Sequence, residues 1–261
     1  MKLHRLIAIN LRFFYNLRRS YDRLSDVFYW PALDLFIWGL TSSFFVSIAP
    51  EFPNLIFSIL AGQILWIFLW RGQYEISVNL LEDLWNRNLI NIFVSPLKFS
   101  EWIAALVIHG ILKAFISFLF AALFAFFLYK TNIFSFGFSM IPFMILLIMT
   151  GWTIGFFVAA LILRYGTKVQ TLAWTLGGLF GPFSAIYYPV SILPDWGRFI
   201  AAFVPSSYVF EGMREVINKG QLNTHLLLVS FILNLIYLLL ALFFLSRSFR
   251  KVLEKGMVKV Y

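Results

Sequence analysis

Six apolar runs, at residues 27–48, 55–74, 102–129, 135–163, 169–188 and 225–246, constrain this chain more than any other feature. Each is close to or above the roughly 20 residues that a helix needs to cross the hydrocarbon of a bilayer. Backbone N–H and C=O groups find no water at that depth, so each run is expected to close its hydrogen bonds internally, as a helix. Composition agrees: 61% of residues are hydrophobic and only 13% are charged, against about 25% charged in soluble domains. The expected fold class is therefore an all-α integral membrane protein, one helical domain over residues 1–261 with six transmembrane helices. The spans and their short connections leave no room for a soluble catalytic domain. Cysteine is absent, which removes disulfides, thiolate metal sites and a cysteine nucleophile.

Six spans put both termini on one side. Lys2, Arg5, Arg12, Arg18, Arg19, Arg23, Arg87, Lys98, Arg164, Lys168, Arg247, Arg250, Lys251, Lys255 and Lys259 fall on that side, and only Lys130, Arg198, Arg214 and Lys219 on the other. An excess of Lys and Arg marks the cytoplasmic face, so a multi-pass protein of the cell (inner) membrane with cytoplasmic termini is expected. The net charge of +9 is thus read as orientation, since the bases flank apolar runs and form no solvated patch for nucleic acid. Trp30, Trp102, Tyr187 and Tyr188 stand at span ends, where amphipathic rings favour the interface.

Residues 1–24 are basic but lack the uninterrupted apolar core and small-residue cleavage site of a signal peptide. At 100° per residue Leu3, Leu6, Ile7, Phe14, Leu17 and Tyr21 share one face, while Arg5, Arg12, Asn16, Arg19 and Arg23 share the opposite one. That pattern predicts an amphipathic helix lying in the membrane interface.

Within the spans Asp34, His109 and Lys113 demand a reason, because a charge at mid-membrane costs at least about 2.5 kcal/mol. Each has a structural reading beside the functional one: Lys113 can snorkel, His109 can bond a neighbouring helix, and Asp34 can lie near the inner interface. Arg71 and Glu75, four residues apart, read as a structural ion pair. The runs at 102–129 and 135–163 exceed the hydrocarbon thickness, and Pro142 offers the latter a kink.

Two segments are not spans. Over residues 80–96 Leu81, Leu84, Trp85, Leu89 and Ile92 form one apolar face, opposed by Asp83, Asn86, Arg87 and Ile90. This predicts a short helix parallel to the membrane, ended by Ser95 and Pro96. Residues 189–222 carry Pro189, Pro194, Pro205 and Gly220 as start and stop signals. Val209, Phe210, Met213, Val216 and Ile217 face one way there, and Glu211, Arg214, Glu215 and Asn218 the other. Two short helices, neither long enough to cross, predict a hairpin that dips into the outer leaflet over a central pathway.

These features, in order, resemble the permease subunits of type II ATP-binding-cassette exporters. The likeness rests on the amphipathic amino-terminal helix, LWNRNLINIFVSPL in the inner connection, LRYGTKVQ after the fourth run, and YYPVSILPDW followed by VPSSYVFEGMRE. It covers essentially the whole chain. The resemblance implies that residues 80–96 are a coupling helix docked on an ATPase subunit through Glu82, Asp83, Asn86, Arg87 and Ile90. It implies a re-entrant outer gate at Pro194, Asp195, Trp196, Pro205, Glu211 and Arg214. It also implies a complex of two permeases, as a homodimer or with a close relative, and two ATPase subunits that hold the ATP and Mg. No GxxxxGK[ST] occurs here, and Gly166, Thr167 and Lys168 have the wrong order, so no phosphate-binding loop, cofactor site or catalytic residue is expected on this chain.

Asp34, Trp38 and Trp174 are candidate pathway residues, with Trp66, Trp70 and Trp152 as further aromatic faces. The expected cargo is amphiphilic, lipidic or glycan-like, or a drug. A gradient-driven transporter or channel is the alternative; it would need coupling-ion sites near mid-membrane, for which Asp34 and Lys113 are thin material. An intramembrane enzyme would want clustered His, Asp or Glu, whereas His4, His109 and His225 lie far apart in the topology. No metal site is expected.

Overall fold

The computed structural model describes residues 1–49 and 54–255, and no strand occurs among them. Lys259, counted above for orientation, lies outside the described residues. In chain order the helices are α1 (Leu3–Arg19), α2 (Tyr21–Ile48), α3 (Leu55–Trp85), α4 (Leu89–Val94), α5 (Phe99–Tyr129), α6 (Met140–Tyr165), α7 (Leu172–Leu179), α8 (Asp195–Ala201), α9 (Pro205–Lys219) and α10 (Thr224–Lys255). Five of them are long and apolar enough to cross a membrane: α2, α3, α5, α6 with its flanking turns, and α10.

The run at 169–188 does not form a sixth such helix. Gly177, Gly178, Gly181 and Pro182 break it into α7 and a short turn at Gly181–Phe183, since paired glycines and proline are the poorest helix formers. The broken segment still runs the length of α3. Trp85 Nε1 donates to Gln170 Oε1 at 3.2 Å, Gln73 Nε2 donates to the Ala173 carbonyl at 2.6 Å, and Gly62 faces the Ile186 backbone. The start of α1 and the later turns of α10 consequently lie at one end of the bundle, where Glu101 receives Lys2 N–H at 2.8 Å and Phe99 stacks on Phe249 at 4.0 Å.

α3 is the central helix, packed by α2, α5, α6 and α7. It continues eleven residues past the run that ends at residue 74, because Glu75, Asn79 and Asp83 are sheltered by neighbouring helices and no glycine or proline intervenes. α6 crosses α3 at very short range through Gly72, Gly151 and Gly155, where a β-carbon on any of the three would meet backbone or a buried side chain. Pro142 makes no kink. It falls in the first turn of α6, where a missing N–H has no helical partner to lose, and the break lies earlier, at Gly137 with φ +55°.

Pro31 is inside α2 and is accommodated from outside it. Proline has no N–H, so the carbonyl four residues earlier loses its helical donor. Ser117 Oγ of α5 donates to that carbonyl, Val27 O, at 3.0 Å, and Arg71 Nε of α3 donates to Ser117 Oγ at 3.2 Å. Ser117→Ala should therefore cost about 1–3 kcal/mol, the penalty of orphaning buried polar groups. Unfolding by SDS in mixed micelles would read it, with Ser117→Thr expected to retain most of the stability.

Candidate functional site

α1 is amphipathic as expected, and its apolar stripe is divided, with Leu6 and Leu17 packed against the bundle and the rest turned away from it. Leu3, Ile7 and Phe14 are exposed, while Phe13 and Leu17 are buried and Arg5 and Arg12 are half-buried. The basic edge makes the polar contacts. Arg5 pairs with Glu101 of α5 at 3.3 Å, Arg12 pairs with Asp83 of α3, and Arg23, in the first turn of α2, pairs with Glu82. Glu101 also accepts Lys98 N–H at 3.0 Å. This leaves Leu3, Ile7 and Phe14 of the stripe exposed.

The coupling residues implied by the resemblance thus divide. Glu82 and Asp83 belong to the last turn of α3 and are tied to α1 and α2, with Asp83 only 1% exposed. A helical wheel of residues 80–96 puts Asp83 opposite the leucines but cannot show that α1 covers that side too. Asn86, Arg87 and Ile90 are exposed. Arg87 takes a left-handed conformation, φ +51°, which turns the chain from α3 into α4, and Asn88 N–H closes the turn on the Asp83 carbonyl at 2.8 Å. Of the expected apolar face Leu81, Leu84, Leu89 and Ile92 are buried, and Trp85 is not.

Above this layer the deep charges meet in one cluster. Asp26 of α2 pairs with Arg71, Lys113 of α5 lies 2.5 Å from Glu75 and 3.8 Å from Asp26, and His109 Nε2 is 3.6 Å from Glu75. Arg71 also donates to the Asp26 carbonyl at 2.7 Å. The Arg71–Glu75 pair of the sequence is present at 3.6 Å, as part of this larger set. Asp26 and Glu75 thus face Arg71 and Lys113, and the formal charges of these four balance.

Beyond the cluster, away from α1, a partly open chamber of about 570 Å³ is lined by α2, α3 and the broken segment, within the roughly 300–1,000 Å³ of drug-sized sites. Trp30, Trp66, Trp70, Tyr74, Trp174 and Tyr187 supply its aromatic walls, and Asp34 enters from α2. Of the three candidate pathway residues Asp34 and Trp174 line it, and Trp38 stacks on Tyr187 at its edge, 4.3 Å between ring centroids. A smaller polar cavity of about 240 Å³ adjoins it towards the end of the bundle that holds the termini, sharing Asp26, Tyr74 and Trp174. Trp152 lines neither.

At the opposite end α8 and α9 form the expected pair of short helices, with Pro205 opening α9 and Gly220 closing it at φ +67°. Their elbow lies deep beside α10: Ser230 Oγ donates to Pro205 O at 2.9 Å and Tyr237 Oη to Phe203 O at 3.1 Å. Those residues are six and thirteen positions beyond Thr224, roughly 10–20 Å along the axis at about 1.5 Å per residue. Glu211 and Arg214, on the polar face of α9, are half-buried and held by neighbours. Glu211 accepts Val190 N–H at 2.6 Å and Arg214 donates to the Ala185 carbonyl, so both fasten α9 to the segment that follows α7. Pro194, Asp195 and Trp196 are exposed.

Sequence reasoning missed Gln73 and Asp26. Gln73, fully buried, reaches into the space left by Gly177 and holds α7 against α3; Asp26 anchors α2. Among the described residues no group of His, Cys, Asp and Glu could hold a metal. No family model and no curated protein matches this chain.

Proposed function

We propose that this chain is the permease subunit of an ATP-binding-cassette exporter. In this reading two copies, or one copy and a close relative, form the pathway in the cell membrane with both termini cytoplasmic, and two separate ATPase subunits bind ATP and Mg. The chain itself carries no chemistry; it converts motion at its inner end into access through the membrane.

The observation that carries the reading is the inner-end layer. Exposed Asn86, Arg87 and Ile90 project from a turn whose other side is joined by ion pairs to α1 and α2. A push on that turn would reach α2 and α3 directly, and these are two of the walls of the aromatic chamber. The deep elbow between α8 and α9 supports a re-entrant outer gate over the same pathway. The broken segment beside α3 supports a sixth crossing, since irregular backbone at membrane depth is tolerated where it lines a cavity. An amphiphilic or lipidic cargo, a glycan or a drug suits an aromatic chamber.

The test is co-expression with candidate ATPase subunits and purification in lipid nanodiscs. Arg87→Asp and Ile90→Asp are expected to reduce export at least tenfold while the ATPase still hydrolyses ATP and the permease stays inserted. Normal export by both variants, or no ATPase co-purifying under any condition, would count against the reading. A gradient-driven transporter has the buried charge cluster in its favour. Mutual pairing of Asp26, Arg71, Glu75 and Lys113 makes that cluster better suited to cross-linking helices than to binding a coupling ion.

A further inference from the structure

We propose that the aromatic chamber is a binding site for a lipophilic organic cation, with the Asp34 carboxylate as its counter-ion and Trp30, Trp66, Trp70 and Trp174 as its walls. The proposal deepens the transport reading by naming a cargo class.

Asp34 is the unusual residue. The other carboxylates lining the chamber and its polar neighbour at depth, Asp26, Glu75 and Glu82, each face a guanidinium or ammonium group within 4 Å. Asp34 is half-buried and, among the described residues, makes no ion pair and no side-chain hydrogen bond. A carboxylate held at membrane depth without a partner is costly, and a cationic ligand supplies what the fold withholds.

The walls suit the same ligand. Indole faces attract cations, more strongly when water is excluded, and here they alternate with apolar Ile64, Ile67 and Leu35. A permanent charge on an apolar body satisfies both surfaces, whereas a neutral glycan would need a denser set of free donors and acceptors. Charge balance points the same way. The two adjoining cavities are lined by Asp22, Asp26, Asp34, Glu75 and Glu82 against Arg23, Arg71 and Lys113, a net negative lining in a chain whose formal charge is +9. Low-dielectric walls focus such a field onto the entering ion.

Tetraphenylphosphonium and tetraphenylborate, alike in shape and opposite in charge, are the probes. Equilibrium dialysis against the full chain in phosphatidylglycerol nanodiscs, corrected with empty nanodiscs, should show saturable binding of the phosphonium and none of the borate. Asp34→Asn should weaken phosphonium binding at least tenfold, and Asp34→Glu should keep it. Trp66→Leu should weaken it several-fold. Circular dichroism and SDS unfolding establish that each variant is folded. Displacement of the phosphonium on adding phosphatidylethanolamine would support the site and assign its occupant to a lipid amine. Equal affinity for both ions, or unchanged phosphonium binding in folded Asp34→Asn, would overturn the proposal. No ATPase is needed for these measurements, so failure to find an ATPase partner would sink the exporter reading and leave this one standing.

Discussion

Gly151→Ala, the addition of one methyl group, is expected to destabilise the protein by about 1–3 kcal/mol or more, and Gly151→Leu to prevent folded protein from accumulating. The new β-carbon would come within 3.0 Å of the Gln73 nitrogen and the Gly72 α-carbon, and closer still to the Leu69 carbonyl oxygen. All three are backbone atoms of α3, so no rotamer relieves the clash and the two helices must separate. Gly178→Ala is the control. A β-carbon there meets nothing within 4 Å, and alanine is the better helix former by about 0.8–1 kcal/mol, so it should be neutral or slightly stabilising. Paired SDS-unfolding curves would measure the difference. Equal stability of the two alanine variants would mean that α3 and α6 do not pack this closely.

Arg71→Leu is the second large effect, expected to cost about 3–5 kcal/mol because it leaves a buried carboxylate uncompensated. Arg71 is 2% exposed and serves Asp26, Glu75 and Ser117 at once. Lys113 remains within 4 Å of both carboxylates but brings only one charge. The double variant Arg71→Leu with Asp26→Asn removes one charge of each sign and should recover a large part of the loss. A double-mutant cycle on unfolding free energy reads the coupling. Additive losses would show that Asp26 and Arg71 act independently, contrary to their contact.

The long apolar helices, the amphipathic amino-terminal helix and the two short helices around Pro205 were legible in the sequence, because each depends on periodicity and on local start and stop residues. The features that depend on a neighbour were not. A wheel sets Asp83 on an open polar side and gives Glu211 no partner because it contains one helix; Arg12 from α1 and the Val190 amide bring the missing side. The apolar run stops at residue 74, short of the end of α3, because Glu75 and Asn79 are polar, yet they are buried together, with Asn79 donating to Glu75 Oε2 at 3.2 Å. Hydropathy alone reads residues 169–188 as a span, although Gly177, Gly178, Gly181 and Pro182 carry the signal for a break. Of the candidate site, Asp34, Trp38 and Trp174 could be picked out singly as depth and aromaticity. Their convergence on one chamber follows from the tertiary packing of α2 and α7 against α3.

That broken segment has a consequence for biogenesis. Residues 169–188 are apolar enough to enter the bilayer, yet peptide groups around Gly178, Gly181 and Ala185 lack continuous helical partners in the finished fold. Exposed to lipid they would be intolerable; in the fold Gln73 of α3 donates to Ala173 O and Arg214 of α9 donates to Ala185 O. Its native shape therefore requires α9, which follows it in the chain, and is expected to be complete only after that helix has been synthesised.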